Sequence, residues 1–105
     1  MPDLMACLAT PAPFRAWLMC QSASLAVGRT QSPDECPLAR FLQAAGYDDV
    51  LVGRWELSCQ ERLFSLPPWA SQFTHQIDLL GSQGTAIRRR QALHLLQHIG
   101  VTLVA

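Results

Sequence analysis

The chain has 105 residues, of which half are apolar and only 15% are charged, and its eight basic and eight acidic side chains cancel. This length predicts one domain over residues 1–105, large enough to form a core without disulfides or bound metal as staples. The lack of excess positive charge argues against a nucleic-acid coat or a polybasic membrane anchor, and no apolar run approaches the roughly 20 residues that span a bilayer.

The low charge content is the most unusual feature of the composition. An ordinary soluble domain carries about 25% charged residues, so the surface of this one is expected to be under-charged and partly covered by another chain. The alternative is an exterior coated with Gln, Ser and Thr. The chain contains no lysine, so all of its basic side chains are arginine. Arginine suits interfaces, but a GC-rich coding sequence or a warm-growing host would also explain this bias.

The first half of the chain predicts two helices. Residues 1–9 show no strong periodicity of apolar residues, so this segment is expected to lie loosely against the rest of the domain. The prolines of residues 11–13 open a helix that ends near residue 21 or 22. Residues 24–27 fit a short strand, but the glycine and polar residues that follow favour a loop. A second helix begins at Pro37 and is capped by Gly46.

The middle of the chain predicts a small antiparallel meander. Residues 50–52 have the β-branched character of a buried strand. From Arg54 to Cys59 apolar and polar residues alternate with the period of a strand, and residues 62–66 supply a further short strand after a turn.

The last part of the chain predicts two more helices. One begins at residues 66–69 and ends at Gly81, with a buried stripe formed by Trp69, Phe73, Ile77 and Leu80. Thr85 is expected to cap a final helix that ends at Gly100, and residues 101–104 fit an edge strand or a docked tail. The predicted fold is α+β, with about four helices packed on a small two- or three-stranded antiparallel sheet.

Histidines and cysteines raise the hypothesis of a metal or thiol enzyme. His94 and His98 lie four apart on the last helix, the spacing by which a helix offers two imidazoles to a metal, but exposed helix histidines have the same spacing. Cys36 precedes a helix start, where a thiol pKa can be lowered, but a packing or capping role is the favoured interpretation. The remaining thiols, Cys7, Cys20 and Cys59, show no metal-site spacing, and a reducing cytoplasm suits them.

Three consecutive arginines, Arg88, Arg89 and Arg90, are expected in the first turns of the last helix. A basic start to the second of two helices faintly resembles the arrangement of a helix-turn-helix, which meets bases or phosphates there. Three consecutive residues fan across about 200° of a helix, so they form no single stripe. A solvated basic turn and contact with an acidic partner are the alternatives.

Trp55 is expected to be the most exposed of the three tryptophans, because charged residues flank it on both sides. Trp17 and Trp69 lie on apolar helical stripes and are expected in the core. Interfaces favour Trp and Arg, so Trp55 and Arg54 are predicted partner contacts, together with the three arginines of residues 88–90.

These observations favour a non-enzymatic protein-protein interaction module: an adaptor, an inhibitor or an assembly subunit. The expected partner is another protein or a second copy, with nucleic acid as the alternative, and neither a membrane nor a cofactor is expected. Because Asp3 stands where a secretory signal would be basic, a cytoplasmic location is predicted.

Overall fold

The computed structural model describes residues 4–104, and their side chains as far as residue 99. The described chain is α+β, which confirms the predicted class. Its helices are α1 Leu4–Leu8, α2 Ala12–Met19, α3 Pro37–Ala44, α4 Pro68–Asp78 and α5 Arg89–Val104. Its strands are β1 Ala26–Arg29, β2 Val50–Val52, β3 Glu56–Cys59, β4 Arg62–Ser65 and β5 Ala86–Arg88.

Strands β2, β3 and β4 form the predicted antiparallel meander, in that order. The turn between β3 and β4 consists of Gln60 and Glu61, both with positive φ, as a two-residue type I′ hairpin requires. The link between β2 and β3 is less regular. Trp55 lies in this link, just before β3, and not in a strand as predicted.

A second sheet, which the sequence did not predict, joins β1 to β5 in antiparallel fashion. The loop expected at residues 24–27 is wrong from Ala26 onward, and Arg88 ends a strand instead of lying in a helix. The two strands lie about 60 residues apart in the chain. Each is stabilised by pairing with the other, so the sequence around either strand alone does not predict it. Gly28 permits the sheet to approach α3, because a Cβ on it would lie 2.5 Å from the Pro37 nitrogen.

The described part of the N-terminal segment is ordered by tertiary contacts. Residues 4–8 form α1, contrary to the loose segment expected there, and Leu4 and Leu8 are buried. The indole nitrogen of Trp69 donates a 2.8 Å hydrogen bond to the Leu8 carbonyl, which fixes α1 against α4. Residues 1–3 of that segment lie outside the described residues.

The four longer helices match the predicted ones except at their ends. Helix α3 begins at Pro37, and Gly46 follows it with φ 103°. Helix α4 ends at Asp78, so Leu80, expected in its buried stripe, is exposed. Helix α5 begins at Arg89 and continues through residues 101–104, where an edge strand or docked tail was expected.

The core is centred on Phe14, which is fully buried on α2. Its ring lies 5.0 Å from Phe73 and 5.4 Å from Phe41, both in edge-to-face geometry, and 6.0 Å from Trp17 and Trp69. These contacts join α2, α3 and α4 through one aromatic cluster. Within the described residues, no helix combines the length and the apolar character needed to cross a bilayer.

Candidate functional site

Two of the three consecutive arginines bind the body of the protein. The Arg88 guanidinium donates to the Ser24 carbonyl. The Arg89 guanidinium donates to the Gln21 carbonyl at 2.8 Å and more weakly to that of Met19, at 3.5 Å. Met19 is the last residue of α2, where a helix leaves carbonyls unsatisfied, and Gln21 and Ser24 lie in the segment that follows it.

The start of α5 differs from the predicted one. The side chain of Gln91 accepts a 2.9 Å hydrogen bond from the Arg88 backbone N–H, which is the backward half of a capping box. Thr85, the expected cap, instead donates its hydroxyl to the Ser82 carbonyl. The Arg90 side chain is exposed and makes no hydrogen bond or ion pair with any described residue. The arginines therefore form no common basic surface.

The histidines do not assemble a metal centre within the described residues. His94 and His98 are exposed on α5, and His98 borders a groove of about 330 Å³ that it shares with His75 of α4. No group of three or more His, Cys, Asp or Glu side chains with metal-binding geometry occurs in the part of the chain that the structure describes.

Cys36 caps α3 through its sulfur. The Sγ atom accepts a hydrogen bond of 3.5 Å from the Ala39 N–H, and the residue is only 4% exposed. Burial raises the pKa of this thiol from 9.0 to about 11, and the nearby Asp78 carboxylate adds to the rise, while the Ala39 N–H opposes it. The thiol is therefore neutral near pH 7, which is the opposite of the activation expected of a nucleophile at a helix start.

The remaining cysteines divide between the surface and the interior. All four are free thiols; Cys20 is exposed, Cys7 is half-buried, and Cys59 is buried, with its Sγ donating to the Asp48 carbonyl at 3.2 Å. Burial, followed by the carboxylates of Asp49 and Asp48, raises the pKa of Cys59.

Trp55 and Arg54 form an exposed stacked pair at the link between β2 and β3. Trp55 is 66% exposed, and the Arg54 guanidinium carbon lies 5.2 Å from its ring centroid. This distance is within the range of a cation–π interaction. The sequence-based expectation that Trp55 is the most exposed tryptophan is confirmed, and its use as a partner contact stays a prediction.

The backbone around this pair is held at three points. The Ser71 hydroxyl of α4 donates to the Arg54 carbonyl at 2.7 Å, and the Leu66 N–H donates to the Trp55 carbonyl at 2.9 Å. The Gly53 N–H bonds the Glu56 carbonyl at 2.8 Å. The exposed ring is therefore presented from a fixed backbone, which reduces the entropy lost when a partner binds it.

Beside the pair lies a cleft of about 200 Å³, which we call the hairpin cleft. It lies between the link, the loop before α3 and one side of α4, and its lining includes residues 31–33, Cys36, Val52, Arg54, Thr74 and Asp78. Arg54 and Asp78 give it one cationic and one anionic side chain. An Asp78 carboxylate oxygen accepts a 2.8 Å hydrogen bond from the Gln31 N–H, which fixes the loop to α4.

Thr74 is the unusual member of the hairpin cleft. It is 5% exposed, and its hydroxyl has no hydrogen-bond partner among the described residues. A buried hydroxyl without a partner costs free energy, so this group favours a ligand that can bond to it. No local sequence pattern reveals the cleft, because three segments that are distant in the chain form it. The only sequence signals are Ser71 and Thr74, two hydroxyls beside the apolar stripe of α4.

A larger groove of about 610 Å³ lies between α2 and α5. Its lining includes the exposed Met19 and the apolar Leu93 and Leu96, with Arg15 as the charged side chain. None of its described lining residues carries a buried polar atom without a partner. The hairpin cleft and the Arg54–Trp55 pair, which we together call the tip site, are therefore the stronger candidate.

No protein-family model, curated protein or solved structure matches this chain significantly.

Proposed function

We propose that the protein is a non-enzymatic interaction module, an adaptor, inhibitor or assembly subunit, which binds another protein through the tip site. The observation that carries this proposal is the exposed Trp55 ring with the Arg54 guanidinium stacked on it. Tryptophan and arginine are the side chains most often found to dominate binding energy at interfaces. An isolated exposed leucine would not support the same argument.

The chemistry of the tip site suggests which partner segment fits. The free surface of the Trp55 ring suits an apolar side chain, since covering it removes a large apolar area from water. The hairpin cleft has room for one further small side chain, and the Thr74 hydroxyl both donates and accepts. A segment with an apolar residue next to a hydrogen-bonding one, such as a carboxamide, would match both parts.

Local chemistry also supports a binding role over a catalytic one. The thiol nearest to the hairpin cleft, Cys36, is neutral and serves as a helix cap. Covalent catalysis by cysteine requires the thiolate, so the raised pKa of Cys36 disfavours it as a nucleophile. The tip site then offers stacking, hydrogen bonding and one side chain of each charge, which are the means of recognition.

The experiment compares the wild-type protein with Trp55→Ser and with Leu25→Ser as baits in the source organism's lysate, with cross-linking and mass spectrometry. Leu25 is 65% exposed, so the control removes an equally exposed apolar side chain at another place. We expect a partner that the wild type and Leu25→Ser capture, that Trp55→Ser loses, and that cross-links beside residues 53–55. Identical capture by all three baits would contradict the proposal.

A further inference from the structure

Strand β4 is an edge strand with an exposed apolar residue at its centre. It pairs with β3 on one side only, and Leu63 is 71% exposed on the sheet face that points away from the core. Leu51 of β2 lies on the same outer face, with Ser58 of β3 between them. Native edges are usually protected by charged side chains, proline or a covering segment; β4 has no proline, and its one charged residue, Arg62, lies at its start beside the hairpin turn.

The hairpin turn determines which backbone groups of β4 point to the free edge. In a two-residue hairpin the flanking residues, here Cys59 and Arg62, form a hydrogen-bonded pair, and pairs then alternate along the ladder. Phe64 is therefore bonded to β3, whereas the N–H and C=O groups of Leu63 and Ser65 point outward. No described residue bonds to these outward groups.

Two hydrogen bonds elsewhere in the sheet agree with this alternation. If the alternation between hydrogen-bonded and non-hydrogen-bonded pairs continues past β3 and β4, Trp55 and Leu66 form a hydrogen-bonded pair. The Leu66 N–H does donate to the Trp55 carbonyl. The same alternation predicts that the Val52 N–H points away from β3. This group donates to the Pro33 carbonyl at 2.8 Å. The outer edge of β2 is thus partly occupied by the loop before α3, and β4 is the open edge of this sheet.

We infer that β4 pairs antiparallel with β4 of a second copy of this chain, about a two-fold axis at Phe64. In this register Leu63 of each copy faces Ser65 of the other, and their outward groups form four N–H···O bonds. The two Phe64 rings face each other as a non-hydrogen-bonded pair, the closer kind, and aromatic pairs of this type stabilise sheets. The two three-stranded sheets become one of six strands.

The charges of the strand favour a second copy in this register. The chain has no net charge, so two copies approach without overall repulsion. Arg62 faces the apolar Leu66 of the second copy, and no like charges stand opposite each other. Shifting the strands so that Glu61 faces Leu63 would instead place Arg62 against Arg62, which is unfavourable. In a symmetric antiparallel pair, the outward N–H and C=O groups of one β4 bond to the same groups of the other, so no further donor or acceptor is needed.

This inference does not depend on the tip site. A pair of four-residue strands buries less than the roughly 1,200 Å² of a stable interface, so we expect a reversible dimer that forms at high concentration. Loss of lysate capture by Trp55→Ser tests the proposed function, and the strand variants below test the dimer. Either result can fail while the other holds.

The experiment is sedimentation equilibrium from about 10 µM to about 1 mM protein. We expect a concentration-dependent monomer–dimer equilibrium for the wild type. The double variant L63K/S65K places two like-charged pairs across the two-fold axis and should weaken dimerisation at least about tenfold. L63K/S65E places opposite charges at the same positions and should dimerise within about threefold of the wild type.

Leu51→Lys is the matched control, because it adds a charge to the same outer face without touching the edge of β4. It should dimerise like the wild type, and circular dichroism checks that every variant is folded. A wild type that stays monomeric at about 1 mM overturns the inference. So does equal behaviour of L63K/S65K and L63K/S65E, whether both dimerise or neither does.

Discussion

The Arg89 guanidinium donates a 2.8 Å hydrogen bond to the backbone carbonyl of Gln21, a residue 68 positions earlier in the chain. This contact joins the start of α5 to the segment that follows α2. A cation is favourable there because the carbonyl end of a helix carries a partial negative charge. The start of α5 is, by the same physics, a poor place for a cation, so the contact explains why an arginine stands at that position.

Replacing Arg89 should therefore lower stability. We expect Arg89→Ala to reduce the free energy of unfolding by about 1–2 kcal/mol, because two backbone acceptors lose a charged donor on a half-buried side chain. Arg90→Ala, at the exposed neighbouring position, should change it by less than about 0.5 kcal/mol. Urea denaturation followed by circular dichroism measures both. Equal losses at the two positions would show that the Arg89 contact contributes nothing specific.

Gly28 offers a test of the unpredicted two-stranded sheet. A Cβ at this position would lie 2.5 Å from the Pro37 nitrogen and 2.8 Å from the Cys36 carbonyl carbon, both backbone atoms that cannot move aside. We expect Gly28→Ala to cost about 3 kcal/mol. Gly46→Ala meets open space but has φ 103°, so its cost should be about 1 kcal/mol. Thermal or urea unfolding that ranks the two variants in reverse order would contradict this packing.

Local sequence patterns were sufficient to predict the elements whose start, end or periodicity is determined by their own residues. Pro37 and Gly46 bracket α3, and the alternation of residues 54–59 led to the meander. The sheet of β1 and β5 was missed because its strands are three and four residues long and owe their existence to each other. Helix α1 was missed for a similar reason, since Trp69 and the burial of two leucines stabilise it.

The tip site was predictable only in part. Trp55 is exposed as expected, although strand alternation alone would have placed it on the buried face with Leu57 and Cys59; it is exposed because it lies in the link before β3. Arg88 and Arg89 resembled a recognition element, but the carbonyls that they bind belong to Ser24 and Gln21 in the segment after α2, which no pattern near residue 88 reveals. The hairpin cleft depends on how three segments meet, and that information is tertiary.

The raised pKa of Cys36 predicts a loss of stability in alkali. The unfolded thiol ionises near pH 9.0, and the folded one near 11, so folding excludes the thiolate. The stability that the neutral Cys36 thiol contributes to the folded state is complete below pH 9 and is lost as the pH rises towards 11. We expect the free energy of unfolding to fall across this window by roughly 2–3 kcal/mol from this group. Denaturation curves at several pH values measure it.

Cys36→Ser is the variant that isolates this effect. Serine can cap α3 but does not titrate here, so the stability of the wild type relative to the variant should fall by roughly 2–3 kcal/mol as the pH rises from 9 to 11. The raised pKa of Cys59 acts in the same direction in both proteins and cancels in the difference. Cys20→Ser, at an exposed thiol, is the control. A difference that stays constant with pH would show that Cys36 ionises as easily when folded.

Thr74 provides the test that links stability to binding. Its buried hydroxyl has no partner among the described residues, so the isosteric change Thr74→Val should raise the free energy of unfolding by about 1 kcal/mol. Ser71→Ala, on the same helix, removes a hydroxyl that donates to the Arg54 carbonyl at 2.7 Å and should lower it by about 1 kcal/mol. If the tip site binds a partner through the Thr74 hydroxyl, Thr74→Val will be the more stable protein and the weaker binder, as urea denaturation and titration calorimetry with the captured partner would show. A valine variant less stable than the wild type would mean that the hydroxyl already has a structural partner and does not await a ligand.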